Sequence, residues 1–241
     1  MRAVVLVALA GCGRIGFGES TRTDDAAIPD VPMEIDAPTG PTTPAFVAVD
    51  VQSGGTVTSL AGKLAGIETG DLFVVAIAYD EDVPITPQLT DTFGTSFTLL
   101  GPNDGDVNRQ YIAYGISSRT GTDELQLTIS AAAKSYVQLR PHAYRNLDPV
   151  HPFDAYTEQT GTVPGMQPAG TITTTVDETL VFEYCVLLNG GASAGAGMTV
   201  RTSTDADITA DKVTTTAGVQ SVPTTTTSGI WTLSIAAFRG K

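Results

Sequence analysis

Apolar residues in this chain come in short runs or in strict alternation with polar ones, and no long stretch keeps the three-to-four spacing of an amphipathic helix. From Ala45 onward the runs Ala45–Val51, Leu72–Tyr79, Gln110–Ser117, Leu125–Ser130, Tyr136–Tyr144, Leu180–Leu188 and Ile230–Phe238 are punctuated by Gly, Pro, Asn and Asp. Runs of this length, rich in β-branched and aromatic residues, predict strands, and the punctuation predicts turns. The expected fold is all-β, a two-sheet antiparallel sandwich or jelly roll formed as a single domain by residues 45–241.

Two pairs of runs look alike and recur in the same order. Thr69-Gly70-Asp71-Leu72-Phe73-Val74-Val75 parallels Val176-Asp177-Glu178-Thr179-Leu180-Val181-Phe182. Val137-x-Leu139-x-Pro141-x-Ala143-Tyr144-Arg145-Asn146 parallels Trp231-x-Leu233-x-Ile235-x-Ala237-Phe238-Arg239-Gly240. An internal duplication is the expectation.

Alternation also sorts side chains by face. In Tyr136–Tyr144, Val137, Leu139, Pro141 and Ala143 make an apolar face, and Tyr136, Gln138, Arg140, His142 and Tyr144 make the other. Two readings of the second face stand. Rings among Gln, Arg and His suit a glycan or peptide groove, which makes Tyr136, Gln138, Arg140 and His142, with Glu183 from mid-strand, the candidate ligand contacts. Alternatively it is an ordinary solvated face on which Arg140 pairs an acid such as Glu183.

Residues 1–11 have the form of a signal peptide: Arg2 precedes the apolar run Ala3 to Ala10, and small residues follow. Gly11, Gly13 and Gly16 also spell G-x-G-x-x-G after a strand-like run. A dinucleotide fold requires a helix next, and Pro29, Pro32 and Pro38 forbid a long one. Between Gly13 and Pro44 there are five prolines, six acidic residues and two basic ones. Residues 12–44 therefore read as a disordered acidic tether.

The sequence Leu9-Ala10-Gly11-Cys12 resembles the lipobox of bacterial lipoproteins. The resemblance implies cleavage before Cys12, acylation of its thiol, and membrane attachment in the cell envelope, at the outer membrane or the cell surface. Cleaved, soluble export is the alternative. With Cys12 lipidated, Cys185 has no cysteine left for an intrachain disulfide. The stretches Gly70-Asp71-Leu72-Phe73-Val74-Val75-Ala76, Ala143-Tyr144-Arg145-Asn146-Leu147-Asp148-Pro149-Val150-His151-Pro152-Phe153-Asp154 and Trp231 to Arg239 resemble a widespread group of secreted bacterial β-sandwich domains. In that group Asn146 is usually Gly and Phe153 usually Ile. In outline the domain is also similar to lectin-like and carbohydrate-binding jelly rolls. The resemblance implies a fold and no activity.

Composition narrows the partners. Apolar residues are 41% of the chain and charged ones 16%, with a net charge of −13. Such a field repels nucleic acid. Gly191-Ala192-Ser193-Ala194-Gly195 matches the nucleophile elbow, but no helical pattern follows, and His142 and His151 both precede the serine. Asn103, Asp104 and Asp106 surround a turn glycine and are the weak candidates for Ca²⁺; otherwise no cofactor is expected. Asp80-Glu81-Asp82 reads as a solvated acidic loop. Glu183, Asp154 and Glu158 are the carboxylates a glycoside hydrolase would need, and no spacing brings them together. The expected function is a lipid-anchored binding module for a glycan or an envelope protein, not an enzyme. The alternatives are a structural or assembly subunit of the envelope and, third, a hydrolase.

Overall fold

The computed structural model describes residues 42–80, 86–105, 108–132, 135–162, 165–166, 170–188, 190–227 and 229–241. The expected signal peptide, Cys12, the expected tether up to residue 41, and Glu81, Asp82 and Asp106 lie outside the described residues. The described residues belong to one compact unit.

The first half of that unit runs β1 (Ala45–Val49), β2 (Gln52–Gly54), β3 (Ser59–Ile67), β4 (Leu72–Tyr79), β5 (Gln88–Asp91), β6 (Thr98–Asp104), β7 (Arg109–Ile116), β8 (Gly121–Thr128) and β9 (Val137–Arg145). The second half runs β10 (Phe153–Gly161), β11 (Gly165–Met166), β12 (Gly170–Thr174), β13 (Thr179–Leu188) and β14 (Ala192–Ser193). It continues through β15 (Thr199–Thr204), β16 (Asp207–Thr214), β17 (Gly218–Val222), β18 (Thr225–Thr226) and β19 (Ile230–Phe238). Among the described residues there is no helix, and every pairing is antiparallel.

The antiparallel sandwich expected from the sequence is present, and it is built twice. One large sheet has the order β1-β9-β4-β7-β6, with β2 also on β9; the other has β10-β19-β13-β16-β15. These orders match strand for strand, each half contributing its own five in the same chain sequence. The registers match as well. Leu72 faces Tyr144 in the first sheet, and Leu180 faces Phe238 in the second. Each edge pair slips at the same place, between Phe46 and Ala48 and between Phe153 and Ala155. The expected duplication is thus a repeat of topology, register and bulge.

The two large sheets pack face to face through Leu72, Val74, Ala76, Tyr144, Leu180, Phe182 and Phe238. A smaller sheet, β3-β8-β5, covers the outer face of the first over Phe73, Val75, Leu125 and Leu139. The pair β12-β17 lies outside the second, over Ile172, Val181, Val222 and Leu233. Four β layers result. The layering explains the two strand textures of the sequence: β4 and β13 are sealed on both faces and read as apolar runs, interrupted after Thr179 only by Glu183 in β13. By contrast, β8 alternates, because only one of its faces is covered.

Candidate functional site

The face of β9 that carries Gln138, Arg140 and His142 is not a surface groove. Strand alternation puts Val137, Leu139 and Ala143 into the outer core, as the pattern requires. Their alternates meet the second large sheet: Arg140 and His142 are 0% exposed and Gln138 is 2%. Tyr136, half-buried at the mouth of this layer, packs on the same central core, and its amide donates to Asp80 Oδ1 at 3.1 Å. The expected ligand face is therefore corrected to an interlayer contact. Water is excluded because the second repeat lays its own strands on it.

The terminal nitrogens of Arg140 meet mainly dipoles, while its Nε is buried without a hydrogen-bond partner. Its Nη1 donates to Thr202 Oγ1 at 2.8 Å and to the Asp207 carbonyl at 3.0 Å, and its Nη2 donates to the Thr204 carbonyl at 2.7 Å. The Asp207 carboxylate stands at 3.8 Å. That carboxylate accepts from Gln138 Nε2 at 2.5 Å and from the Leu187 amide at 2.8 Å, while burial pushes its pKa up to about 6. Tyr184 completes the set, its hydroxyl donating to Gln138 Oε1 at 2.8 Å.

His142 fixes the direction of these bonds. Its Nδ1 lies 2.9 Å from the Arg140 carbonyl, which can only accept, so Nδ1 carries the proton. Burial pushes the ring's pKa down to about 3, so it stays neutral and Nε2 accepts. Thr209 then donates to Nε2 at 2.8 Å and accepts from Thr202 at 2.7 Å, and Thr202 accepts from Arg140. A closed circuit of hydrogen bonds leaves Arg140 and returns to it.

Glu183 belongs elsewhere. It is on the opposite face of β13, in the outer core beside Val181, Cys185 and Leu187. Thr224 Oγ1 donates to its Oε2 at 2.8 Å, and Oε1 is buried without a partner. Burial raises its pKa to about 7. The second large sheet separates it from Arg140, so the acid near Arg140 is Asp207. The other carboxylates named for hydrolysis are tied down too: Asp154 accepts from Arg239 Nε at 3.1 Å and from the Thr175 amide at 2.8 Å, and Glu158 accepts from Tyr156 at 2.9 Å.

Of the weak calcium candidates, Asn103 and Asp104 are engaged by other groups, and Asp106 lies outside the described residues. Asn103 is 2% exposed and uses its amide nitrogen on the Leu233 and Gln159 carbonyls, at 2.9 and 3.3 Å. Asp104 pairs with Arg109. Asp80 accepts from the Ser135 amide at 2.9 Å. Among the described residues no cluster of three His, Cys, Asp or Glu side chains stands ready for a metal. Ser193 is exposed in β14, with no helix behind it. Cys185 is a free, buried thiol.

What sequence reading missed is the second repeat's share of the interlayer. Thr202, Asp207, Thr209, Thr232 and Ser234 are all buried there. Aligning the repeats sets Thr232, Ser234 and Ala236 at the positions of Gln138, Arg140 and His142, and Thr232 and Ser234 instead donate to Asn108 and Gln110 of the first repeat, at 2.8 and 2.6 Å.

A cleft of about 370 Å³ does open to solvent, where the turn at 94–98 meets Pro149–Pro152. Gly115 lets that turn approach: a Cβ there would sit 2.6 Å from Thr95 Cγ2 and 2.8 Å from the Ser96 carbonyl. Tyr114 lines it, its ring stacked on Phe153 at 5.7 Å and edge-on to Phe238 at 5.5 Å. Ser96, Thr98 and Ser118 add hydroxyls, Val150 adds an exposed apolar side chain, and no charged residue lines the cleft. A second depression borders Tyr156 and Glu158, but there the phenol is spent on Glu158 and Ser234. No family model, no curated protein and no solved structure matches this chain.

Proposed function

We propose that this chain is a cell-envelope lipoprotein, held through Cys12 at the outer membrane or cell surface, whose β domain binds a glycan in the cleft beside Tyr114. The observation that carries the reading is the lining of that cleft: one braced aromatic ring among neutral hydroxyls. Sugars present an apolar ring face and a rim of hydroxyls, which such a lining complements without ionic contacts. The sequence Leu9-Ala10-Gly11-Cys12 supports the anchor, and the net charge of −13 argues against nucleic acid as partner.

Pull-down of the full chain on insoluble envelope polysaccharides tests this, with Ser96→Trp as the probe. Ser96 is exposed, so the indole fills the cleft from its rim without entering the core. Binding by the wild type and at least a tenfold loss in the variant are expected. Equal binding by both rejects the cleft. For the anchor, Cys12→Ser is expected to move the chain from the membrane fraction to the soluble one; a variant still in the membrane fraction rejects lipidation.

A structural role is the second reading, favoured by the buried interlayer, where Gln138, Arg140 and His142 hold two repeats together instead of facing a ligand. Cross-linking of whole cells separates the two. Reproducible envelope-protein adducts without polysaccharide retention favour the structural role.

A further inference from the structure

The hairpin β15–β16 turns through two residues, Asp205 and Ala206, between the paired Thr204 and Asp207. Both have positive φ, 56° and 67°. Two such residues in a row mark the I′ turn of tight hairpins, which favours Asn-Gly or Asp-Gly. Asp tolerates the left-handed form, but Ala206 adopts it with a Cβ, where glycine is usual. Within the second repeat the turn is held by the Ala192 amide, which donates to the Ala206 carbonyl at 3.1 Å. A second grip comes from outside the repeat. The carbonyls of Thr204 and Asp207, one on each side of the turn, both accept from Arg140 of β9, from Nη2 at 2.7 Å and from Nη1 at 3.0 Å. Nη1 also donates to Thr202 Oγ1 in β15 at 2.8 Å, and Gln138 of β9 donates to the Asp207 carboxylate at 2.5 Å. The grip is not symmetric. The counterpart of Arg140 in the second repeat is the uncharged Ser234, which donates to the Gln110 side chain within β7 at 2.6 Å.

The donors of a guanidinium stand in a rigid planar fork, so two carbonyls meet its terminal nitrogens together only when their spacing suits it. The closed turn supplies that spacing. Arg140 is wholly buried, so opening the hairpin strips a buried charge of its partners. A strained turn and a buried cation therefore hold each other in place. We propose that Arg140 is a latch between the repeats: it keeps the Asp205–Ala206 turn left-handed, so the β15–β16 hairpin of the second repeat stays closed only against an intact first repeat. The dependence runs one way, because the second repeat returns hydroxyls where the first sends a charge. The hairpin is then the conditional element of the fold, and its release uncovers the polar interlayer before the first repeat opens.

Native-state hydrogen exchange of the full chain tests the latch in Arg140→Met, in Ala206→Gly and in the double variant. Arg140→Met is expected to speed exchange across 199–214 by about tenfold or more beyond any change in 72–79 and 109–116, the strands of the first repeat. Ala206→Gly alone is expected to leave 199–214 at least as slow as in the wild type. In the double variant it should recover about fivefold to thirtyfold of the lost protection, the equilibrium factor that matches the left-handed penalty of a Cβ. Equal acceleration in every strand of Arg140→Met makes Arg140 a general core contact and overturns the latch. A double variant whose hairpin exchanges as fast as that of Arg140→Met overturns it too, because the turn is then not what Arg140 holds. If Arg140→Met does not fold, the relieved turn of the double variant has to restore folding; a double variant that also fails to fold rejects the proposal.

Discussion

Arg140 is wholly buried, yet its charge is met by two carbonyls, one hydroxyl and only a distant carboxylate. Spreading the compensation over oriented dipoles avoids the desolvation of a second full charge at contact distance. Buried titratable groups nearby pull stability in opposite directions with pH. His142 has its pKa pushed below 6.5, to about 3. Below pH 6.5 the unfolded chain takes a proton that the folded one refuses, so this group weakens the fold as pH falls. Glu183 has its pKa raised from 4.5 to about 7. Its contribution is complete below pH 4.5 and is lost as pH rises through 7. Glu183→Gln removes that loss, so the variant is expected to exceed the wild type by about 3 kcal/mol at pH 8, with the gap closing toward pH 4.5. Urea unfolding at both pH values checks it; a variant less stable at pH 8 contradicts the assignment.

At the scale of strands, the repeat puts matching residues in matching roles. Arg145 ends β9 and Arg239 directly follows β19, the last strands of their halves, and each clamps a buried carboxylate. Arg145 reaches Asp71 at 2.9 Å through two nitrogens, and Arg239 reaches Asp154 at 3.1 Å. Asn146 adopts φ 66°, a left-handed conformation that Asn tolerates better than most residues. Gly161 faces Trp231 across β10 and β19, and a Cβ on it would lie 2.2 Å from the indole Cζ2. Gly161→Val therefore has to displace the ring. A loss of about 1–3 kcal/mol is expected, the usual range for overpacking. A red shift in the emission of the chain's one tryptophan should accompany it; unchanged emission and stability contradict the close contact.

Across the whole molecule, what was legible in the sequence follows what local geometry fixes. The runs Leu72–Tyr79, Tyr136–Tyr144, Leu180–Leu188 and Ile230–Phe238 are strands, and alternation in β9 separates Leu139 from Arg140 correctly. Which face of β9 meets water is not a property of that strand. It is decided by Thr202, Thr204, Asp207 and Thr209, which lie 62–67 positions away from their partners. An Arg, a Gln and a His in alternation read the same on a wet groove and in a dry interlayer. The candidate site moved for that reason: the residues with the richest chemistry join the two repeats, and the accessible cleft is lined by Tyr114, Thr95, Ser96 and Thr98. Those residues carry no motif, and only the approach of the 94–98 turn over Gly115 assembles them.

Hydrogen–deuterium exchange of the full chain, with and without envelope polysaccharide, tests the location of binding most directly. Exposed turns exchange readily, and a bound ligand slows them. Slower exchange confined to peptides spanning 94–98 and 114–118, with 137–145 unchanged, is the expected result. Slower exchange in 137–145 without any change at 94–98 contradicts it and returns the binding surface to β9.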